Sequence, residues 1–93
     1  MTRYALRVDA NQSAVVSALE AAGATVQVVG KPLDLLVGIR GQFILIEVKD
    51  GAKVKSARKP TEAQKKFFER FPGYPWAVVD GPEAALRAVG CIK

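Results

Sequence analysis

The chain has 93 residues, a hydrophobic fraction of 49% and a formal net charge of +5, values typical of one small globular domain with a basic surface. It contains no histidine and a single cysteine, Cys91. This excludes serine–histidine–aspartate triads, cysteine–histidine pairs, histidine–zinc sites and an intrachain disulfide. Any catalysis would therefore depend on carboxylates, lysines and hard cations.

The sequence shows no membrane or export signal. No apolar run approaches the ~20 residues of a membrane span, and the first residues, MTRYALRVDA, lack the apolar core of a signal peptide. We therefore expect a cytoplasmic protein, with residues 1–93 forming a single domain. No membrane partner and no nucleotide cofactor are expected.

The first predicted element is a short extended arm, RYALRV, followed by a helix in DANQSAVVSALEAAG. Asp9 or Asn11 can cap the start of this helix, and Gly23 can end it. Its apolar residues recur at helical spacing and form one stripe: Val15, Ala18, Leu19 and Ala22.

Three strands are predicted next, in ATVQVVG, LDLLVGI and QFILIEVKD, because β-branched and apolar residues dominate each run. Arg40 and Gly41 join the last two strands as a two-residue hairpin turn. A polar segment, GAKVKSARKP, follows without the periodicity of a helix or a long strand. It carries four cations: Lys53, Lys55, Arg58 and Lys59.

A second helix, TEAQKKFFERF, begins at Pro60–Thr61 and offers three phenylalanines, including Phe71, to the core. A fourth strand, YPWAVVD, places Tyr74 and Trp76 in the core as well. A short last helix lies in GPEAALRAVG, where the aspartate at 80 and the glutamate at 83 have the spacing of a capping box. The order of helix, three strands, helix, strand and helix predicts an α/β sandwich with a mixed sheet.

The predicted hairpin turn fixes which residues face each other. With a two-residue turn, Asp34 lies opposite Glu47, with Cβ atoms about 4.5 to 5.5 Å apart on one face of the sheet. Lys49 follows Glu47 by two residues and so lies on the same face. A four-residue loop over 38–41 would instead shift the register and separate the two carboxylates.

Two opposed carboxylates repel each other unless solvent, a neighbouring cation or a bound metal offsets their charge. Mg²⁺ and Mn²⁺ bind carboxylate oxygens, and Mg²⁺ commonly uses one or two carboxylates while it keeps several waters. Such a cation polarises a phosphodiester oxygen and lowers the pKa of a bound water. The alternative is that Asp34 and Glu47 are solvent-facing strand ends with Lys49 as their counterion, and the residues alone leave both interpretations open.

Asp34, followed after twelve residues by Glu47-Val48-Lys49 on a strand, resembles the motif of the PD-(D/E)XK nuclease superfamily, and the predicted element order matches its core. The small size is similar to that of the VRR-NUC-type domains of phages and prophages, which are Holliday-junction-resolvase-like. The resemblance implies a restriction-endonuclease-like αβββαβ core, with a mixed sheet flanked by helices and a short C-terminal helix. It also implies a metal-dependent DNA endonuclease in a bacterial host, selective for branched DNA such as four-way junctions, that acts as a homodimer.

The same resemblance assigns roles to residues. It implies that Asp34, Glu47 and the backbone carbonyl of Val48 ligate Mg²⁺ or Mn²⁺, and that Lys49 is catalytic. Gln64 matches a glutamine that members of the superfamily carry near the active site. Its spacing from Thr61 also fits a capping box, so both interpretations stay open.

The chain departs from the family pattern at two places. Leu33 stands between Pro32 and Asp34, where the family usually has proline directly before the aspartate. On the first helix, Gln12 or Asn11 stands where VRR-NUC-type domains usually carry a glutamate that reaches the metal. Gln12 is therefore a candidate metal ligand that supplies an amide and not an acid.

Phosphate contacts from lysine and arginine dominate nucleic-acid affinity. The four cations of the polar segment follow the motif directly, and Lys31 and Lys65 extend the patch, although Lys65 also has the helical spacing for an ion pair with Glu62. We expect these residues to bind DNA. A non-catalytic nucleic-acid-binding module and an interaction subunit of a larger assembly are the alternatives to an enzyme.

Overall fold

A computed structural model describes residues 10–49 and 61–92 of the chain. In chain order the elements within these ranges are α1 (Ala10–Ala21), β1 (Thr25–Val28), β2 (Leu35–Ile39), β3 (Gln42–Val48), α2 (Glu62–Arg70), β4 (Trp76–Val79) and α3 (Pro82–Ala88). The predicted order of helices and strands is confirmed. The predicted N-terminal arm, Asp9 and the basic segment lie outside the described residues.

The four strands form one mixed sheet in the order β1-β2-β3-β4. β1, β2 and β3 pair antiparallel, and β4 pairs parallel to β3. A parallel neighbour requires a crossover, which α2 supplies, because a hairpin joins only antiparallel strands. The mixed sheet flanked by helices is the predicted restriction-endonuclease-like architecture.

The β2–β3 hairpin has the predicted two-residue turn. Arg40 has φ 51° and Gly41 has φ 79°, the positive values that a tight turn between antiparallel strands requires. Leu35 consequently pairs with Ile46, as the predicted register requires. The four-residue loop is excluded. The Arg40 guanidinium also donates a hydrogen bond of 2.7 Å to the carbonyl of Val89, where a cation at a helix C-terminus is favourable.

The main core lies on one face of the sheet, under α1 and α3. Alternate residues of each strand point to this face, and they pack with the apolar residues of the two helices. The side chains that are completely buried in this cluster include Val15 and Leu19 of α1, Leu35 and Val37 of β2, and Ile46 of β3. Val15 and Leu19 of the predicted stripe therefore face the core, whereas Ala22, which was predicted with them, is exposed.

α2 covers the opposite face of the sheet, where the aromatic residues differ from the prediction. Tyr74 is 66% exposed, Trp76 41% and Phe71 39%, so the prediction that they belong to the core is wrong. The ring of Phe68 stacks on Trp76 at 3.8 Å between centroids. Phe71 also contacts the rings of Phe67 and Tyr74, and these aromatic residues line a surface groove on this face.

Asn11 as the cap of α1 and the capping box of α3 are also corrected, whereas Asp9, the other predicted cap of α1, lies outside the described residues. α1 begins at Ala10, so Asn11 lies in its first turn and not at its N-cap. Gly81 is the N-cap of α3 and makes no side-chain cap hydrogen bond. Glu83 instead accepts a hydrogen bond of 2.9 Å from Arg87, one helical turn further on. The capping box predicted from the aspartate at 80 is therefore wrong, because the helix starts later than its capping signal suggested.

We expect Ile46→Ala to lower the free energy of unfolding by about 2–5 kcal/mol, since the side chain is completely buried and its removal leaves a cavity. Urea unfolding followed by circular dichroism measures the loss. Ile92→Ala is the matched control, because Ile92 is 39% exposed, and its effect should stay within about 0.5 kcal/mol. Equal losses in the two variants would contradict this assignment of the core.

Candidate functional site

The hairpin register brings Asp34 and Glu47 together. Asp34 directly precedes Leu35 of β2, Glu47 directly follows Ile46 of β3, and Leu35 and Ile46 are paired. The two carboxyl side chains interact directly. Glu47 is only 9% exposed, and Asp34 is half-buried. The pair is therefore a partly desolvated acidic cluster and not a set of free strand ends.

The position of Asp34 is fixed by backbone hydrogen bonds. Its Oδ2 accepts a hydrogen bond of 2.8 Å from the N–H of Val48, in place of the backbone carbonyl that a longer β2 would supply. Its own carbonyl accepts from the N–H groups of Val29 at 2.9 Å and Gly30 at 3.1 Å. One carboxylate oxygen of Asp34 is therefore hydrogen-bonded to the end of β3. The backbone carbonyl of Asp34 also holds the loop between β1 and β2 through its two hydrogen bonds.

The backbone of Val48 is directed toward Asp34. In an extended strand, the N–H and C=O of one residue point to the same edge, and the N–H of Val48 is bonded to Asp34. The next residue, Lys49, points the other way and donates its N–H to Val79 of β4 at 2.9 Å. The carbonyl of Val48 therefore faces the side of the strand on which Asp34 lies.

Lys49 supplies the cation of the cluster. Its Nζ lies 3.0 Å from Oε2 of Glu47 in a largely buried ion pair. Its carbonyl accepts a hydrogen bond of 2.9 Å from the Asn11 side chain, which also donates to the carbonyl of Asp80 at 3.2 Å. α1 is thus tied to the ends of β3 and β4 at the residue that carries the ammonium group.

The pKa of Asp34 is raised above its ordinary value of 3.8. Burial is the largest cause, because it disfavours the charged form, and the negative charge of Glu47 acts in the same direction. The N–H of Val48 and the ammonium of Lys49 oppose the rise but do not cancel it. A second cation would relieve this repulsion.

Gln64 lies at the start of α2 and is 6% exposed. Its Oε1 accepts from the N–H of Thr61 at 2.9 Å, and the hydroxyl of Thr61 accepts from the N–H of Gln64 at 3.2 Å. The capping box is therefore present. The Gln64 amide also donates to the carbonyl of Pro32 at 3.1 Å, which holds α2 against the loop that leads to Asp34.

The donor set fits a hard divalent cation. Within residues 10–49 and 61–92, no group of three or more histidine, cysteine, aspartate or glutamate side chains is clustered for a metal ion. Two carboxylates and one carbonyl are nevertheless hard oxygen donors, and Mg²⁺ uses one or two carboxylates and completes its shell with water. Gln12 is 7% exposed and has an interaction of its own. Its position as a ligand stays a prediction.

The predicted DNA-binding cations are placed in part. Lys31 and Lys65 are both exposed, the first in the loop before Asp34 and the second on α2. The other four, Lys53, Lys55, Arg58 and Lys59, lie outside the described residues. Across the part of the chain that the structure covers, no helix is long and apolar enough to cross a membrane.

The fold and the acidic cluster together define a restriction-endonuclease-like α/β domain. A solved structure described as a VRR_NUC domain superposes on this chain with a TM-score of 0.65 and 28% sequence identity, covering 84% of this chain and 88% of the other. No family model matches the sequence, and no curated protein matches it. The chain has the fold of a VRR-NUC nuclease-type domain, which confirms the resemblance that the motif predicted.

Sequence reasoning missed the part that Asn11 plays in the cluster. The sequence suggested a helix cap or, as the alternative to Gln12, the position of the family's glutamate on the first helix. The Asn11 side chain instead bonds the backbone of residues 38 and 69 positions away. No local pattern encodes such a contact. Leu33, which departs from the family pattern, is completely buried, so it anchors the loop before Asp34 and does not disturb the carboxylate pair.

We expect Asp34→Asn to gain stability relative to the wild type as the pH rises from about 3 to 7 in the presence of a metal chelator. The folded protein holds the Asp34 proton more tightly than the unfolded chain does, because the pKa is raised from 3.8. The contribution of Asp34 to wild-type stability therefore falls as the pH rises above about 3.8, and the asparagine variant lacks this loss. Urea unfolding at each pH measures the difference between the two proteins.

Glu20→Gln is the control for this pH series, because Glu20 is exposed on α1 and lies outside the acidic cluster. It should follow the wild-type pH dependence. A difference between Asp34→Asn and wild type that stays flat, or that reverses sign with rising pH, would contradict the raised pKa.

Proposed function

We propose that this chain is a metal-dependent DNA endonuclease that hydrolyses phosphodiester bonds. The observation that carries the proposal is the contact between Asp34, Glu47 and Lys49 at the end of β3, in a fold similar to a VRR_NUC domain. Among the described residues, these two partly desolvated carboxylates have one ammonium group, that of Lys49, in contact with them, so this set of three carries a net negative charge when both acids are ionised. A structural ion pair would not need the second acid.

Mg²⁺ or Mn²⁺ is the proposed cofactor. Asp34, Glu47 and the carbonyl of Val48 would hold it, with Gln12 as a further candidate ligand. A bound cation of this kind supplies Lewis-acid activation of a phosphodiester oxygen and a water of lowered pKa. The raised pKa of Asp34 fits this role, because a cation offsets the Glu47 charge that helps to raise it.

The chain's own residues supply orientation and charge. Lys49 is held in place through its backbone by Asn11 and Val79, so its ammonium is directed at the carboxylate pair. From there it can donate a hydrogen bond to a phosphate oxygen and offset the charge that develops during hydrolysis. Gln64 keeps α2 against the Pro32 carbonyl and in this way positions the Asp34 loop.

DNA is the proposed partner. Lys31, three residues before Asp34, and Lys65, on α2, are exposed cations, and the basic segment 53–59 follows Lys49 in the sequence. Because one chain holds one carboxylate pair, cutting both strands of branched DNA such as a four-way junction requires a homodimer. We further propose that it acts in the cytoplasm of a bacterial host and derives from a phage or prophage.

A non-catalytic DNA-binding module on the same fold is the second candidate. It is favoured by the first helix, because an amide, Gln12 or Asn11, stands where VRR-NUC-type domains usually carry a glutamate. The donor set is then two carboxylates and not three. The two candidates differ in one measurable way, since both bind DNA but only the endonuclease cleaves it.

We expect Mn²⁺ or Mg²⁺ to raise the melting temperature of the wild type and to support nicking of plasmid DNA and cleavage of a four-way junction. Glu47→Ala should lose the metal-induced shift and lower the cleavage rate at least about 100-fold, because it removes a proposed ligand. Differential scanning fluorimetry and gel assays of cleavage measure the two effects.

Glu20→Ala serves as the control for Glu47→Ala, since it removes an exposed acid and should leave both the shift and the cleavage unchanged. Wild-type DNA binding without any cleavage would favour the non-catalytic module. Cleavage that survives Glu47→Ala would remove the acidic cluster from the mechanism.

We expect Lys31→Ala and Lys65→Ala each to reduce the slope of log affinity against log salt by about 1, as the loss of one phosphate contact does. Fluorescence anisotropy with labelled duplex and junction DNA over a salt series measures the slope. Arg87→Ala is the control, because Arg87 pairs with Glu83 on α3, on the other face of the sheet. An unchanged slope in both lysine variants would place the DNA elsewhere.

A further inference from the structure

The backbone carbonyl of Lys49 lies where the pairing of β3 with β4 stops. In a parallel pair, a residue that bonds the neighbouring strand uses both its N–H and its carbonyl, and its two partners are two positions apart. The N–H of Lys49 donates to Val79 at 2.9 Å, so its carbonyl would accept from the N–H of Gly81 if β4 continued. β4 ends at Val79, and Gly81 is the N-cap of α3. The carbonyl of Lys49 therefore needs another donor.

The side chain of Asn11 is that donor. Its Nδ2 donates a hydrogen bond of 2.9 Å to the carbonyl of Lys49 and one of 3.2 Å to the carbonyl of Asp80. A side-chain amide nitrogen carries two N–H groups, so one asparagine can serve both carbonyls. Asn11 lies in the first turn of α1. The first helix thus continues the β3–β4 ladder by one residue, at the residue that carries the ammonium group.

This bond matters because Lys49 lies just beyond the last residue of β3, which ends at Val48. The ends of an element open more easily than its centre. With its N–H and its carbonyl both bonded, the backbone of Lys49 is held, and its Nζ lies 3.0 Å from Oε2 of Glu47. A displacement of about 1 Å at a catalytic group can lower a rate on the order of 100-fold. The position of the ammonium group therefore depends on the support that the backbone receives.

We propose that Asn11 is a positioning residue of the endonuclease, which acts through Lys49 and contacts neither the DNA nor the metal ion. The proposal rests on the proposed function, because Lys49 is the residue that it positions. It gives the first helix a part in orienting the site, where VRR-NUC-type domains usually carry a metal-binding glutamate. An amide is required at position 11 because both of its partners are carbonyl acceptors. A carboxylate there would repel them.

A metal ligand is the main competing role for Asn11, and the geometry disfavours it. The Nδ2 of Asn11 meets β3 at the edge that faces β4, since the backbone of Lys49 points to that edge. The N–H of Val48 meets Oδ2 of Asp34 at the other edge, which faces β2. β3 therefore lies between the Asn11 amide and the Asp34 carboxylate. The two roles also respond oppositely to Asn11→Asp, which breaks the contact with the carbonyls but would strengthen a metal site.

Hydrogen exchange of the backbone amides, followed by NMR on the full chain, tests the proposal without any cleavage. Asn11→Ala removes the donor, and Asn11→Asp replaces it with an acceptor of the same shape. Both should raise the exchange rate of the Lys49 amide at least about 10-fold and leave that of Ile46, inside β3, unchanged. Ser13→Asp is the matched control, because it places the same charge on an exposed residue two positions further along α1. It should leave both rates unchanged.

A double-mutant cycle with Lys49→Met tests the role in the reaction. In the wild-type background, Asn11→Asp should lower kcat for DNA cleavage with Mn²⁺ at least about 10-fold and change KM by less than about threefold. In the Lys49→Met background it should have no further effect, because the group that it positions is gone. The Mn²⁺ concentration that gives half of the melting-temperature shift should stay as in the wild type.

The outcomes separate the alternatives. Faster exchange throughout β3, or loss of folding in both Asn11 variants, would overturn the proposal, because Asn11 would then support the whole fold. Losses in kcat that multiply in the cycle, or tighter Mn²⁺ binding by Asn11→Asp, would also overturn it, because Asn11 would then act at the DNA or the metal. A wild type that cuts no DNA, with faster exchange at Lys49 alone, removes the endonuclease and retains Asn11 as the residue that holds Lys49. Normal cleavage by both Asn11 variants has the opposite consequence.

Discussion

The hydrogen bond from the N–H of Val48 to the carboxylate of Asp34 is the contact on which the site depends. It continues the β2–β3 pairing by one residue after the backbone of β2 has turned away, with a side chain in place of a carbonyl. This hydrogen bond to the side chain holds Asp34 beside Glu47. Two acids are thereby kept in contact although burial and mutual repulsion both disfavour their charged forms.

The two faces of the sheet differ in what they carry. α1 and α3 close the main core on one face, where the strands contribute buried aliphatic side chains. The other face carries the acidic cluster and an apolar groove, and within residues 10–49 and 61–92 the helix on this face is α2. The main core and the acidic cluster are therefore separated by the alternation of side chains along β2 and β3. A one-residue slip in the register of the hairpin would move the core side chains of a strand to the face of the acidic cluster, and the other side chains to the core face.

Much of the site could be predicted because it is encoded over a short distance. The turn at Arg40 and Gly41 sets the register, and the register alone brings Asp34 opposite Glu47. The capping box of α2 was likewise visible in the spacing of Thr61 and Gln64. The capping box predicted for α3 was wrong, because it too was read from spacing alone. Spacing shows that a cap is possible but does not show which residue begins the helix.

The sequence by itself determined the element order, the hairpin register and the pairing of two acids with a lysine, because each follows from residues near one another in the chain. Only the tertiary structure decided which contacts surround them. Asn11 reaches the ends of β3 and β4, and Gln64 reaches the Pro32 carbonyl. Phe71, Tyr74 and Trp76 stay exposed on the face of the sheet opposite the main core. Such contacts join residues 30 or more positions apart, and hydrophobic periodicity, which is a local property, does not specify them.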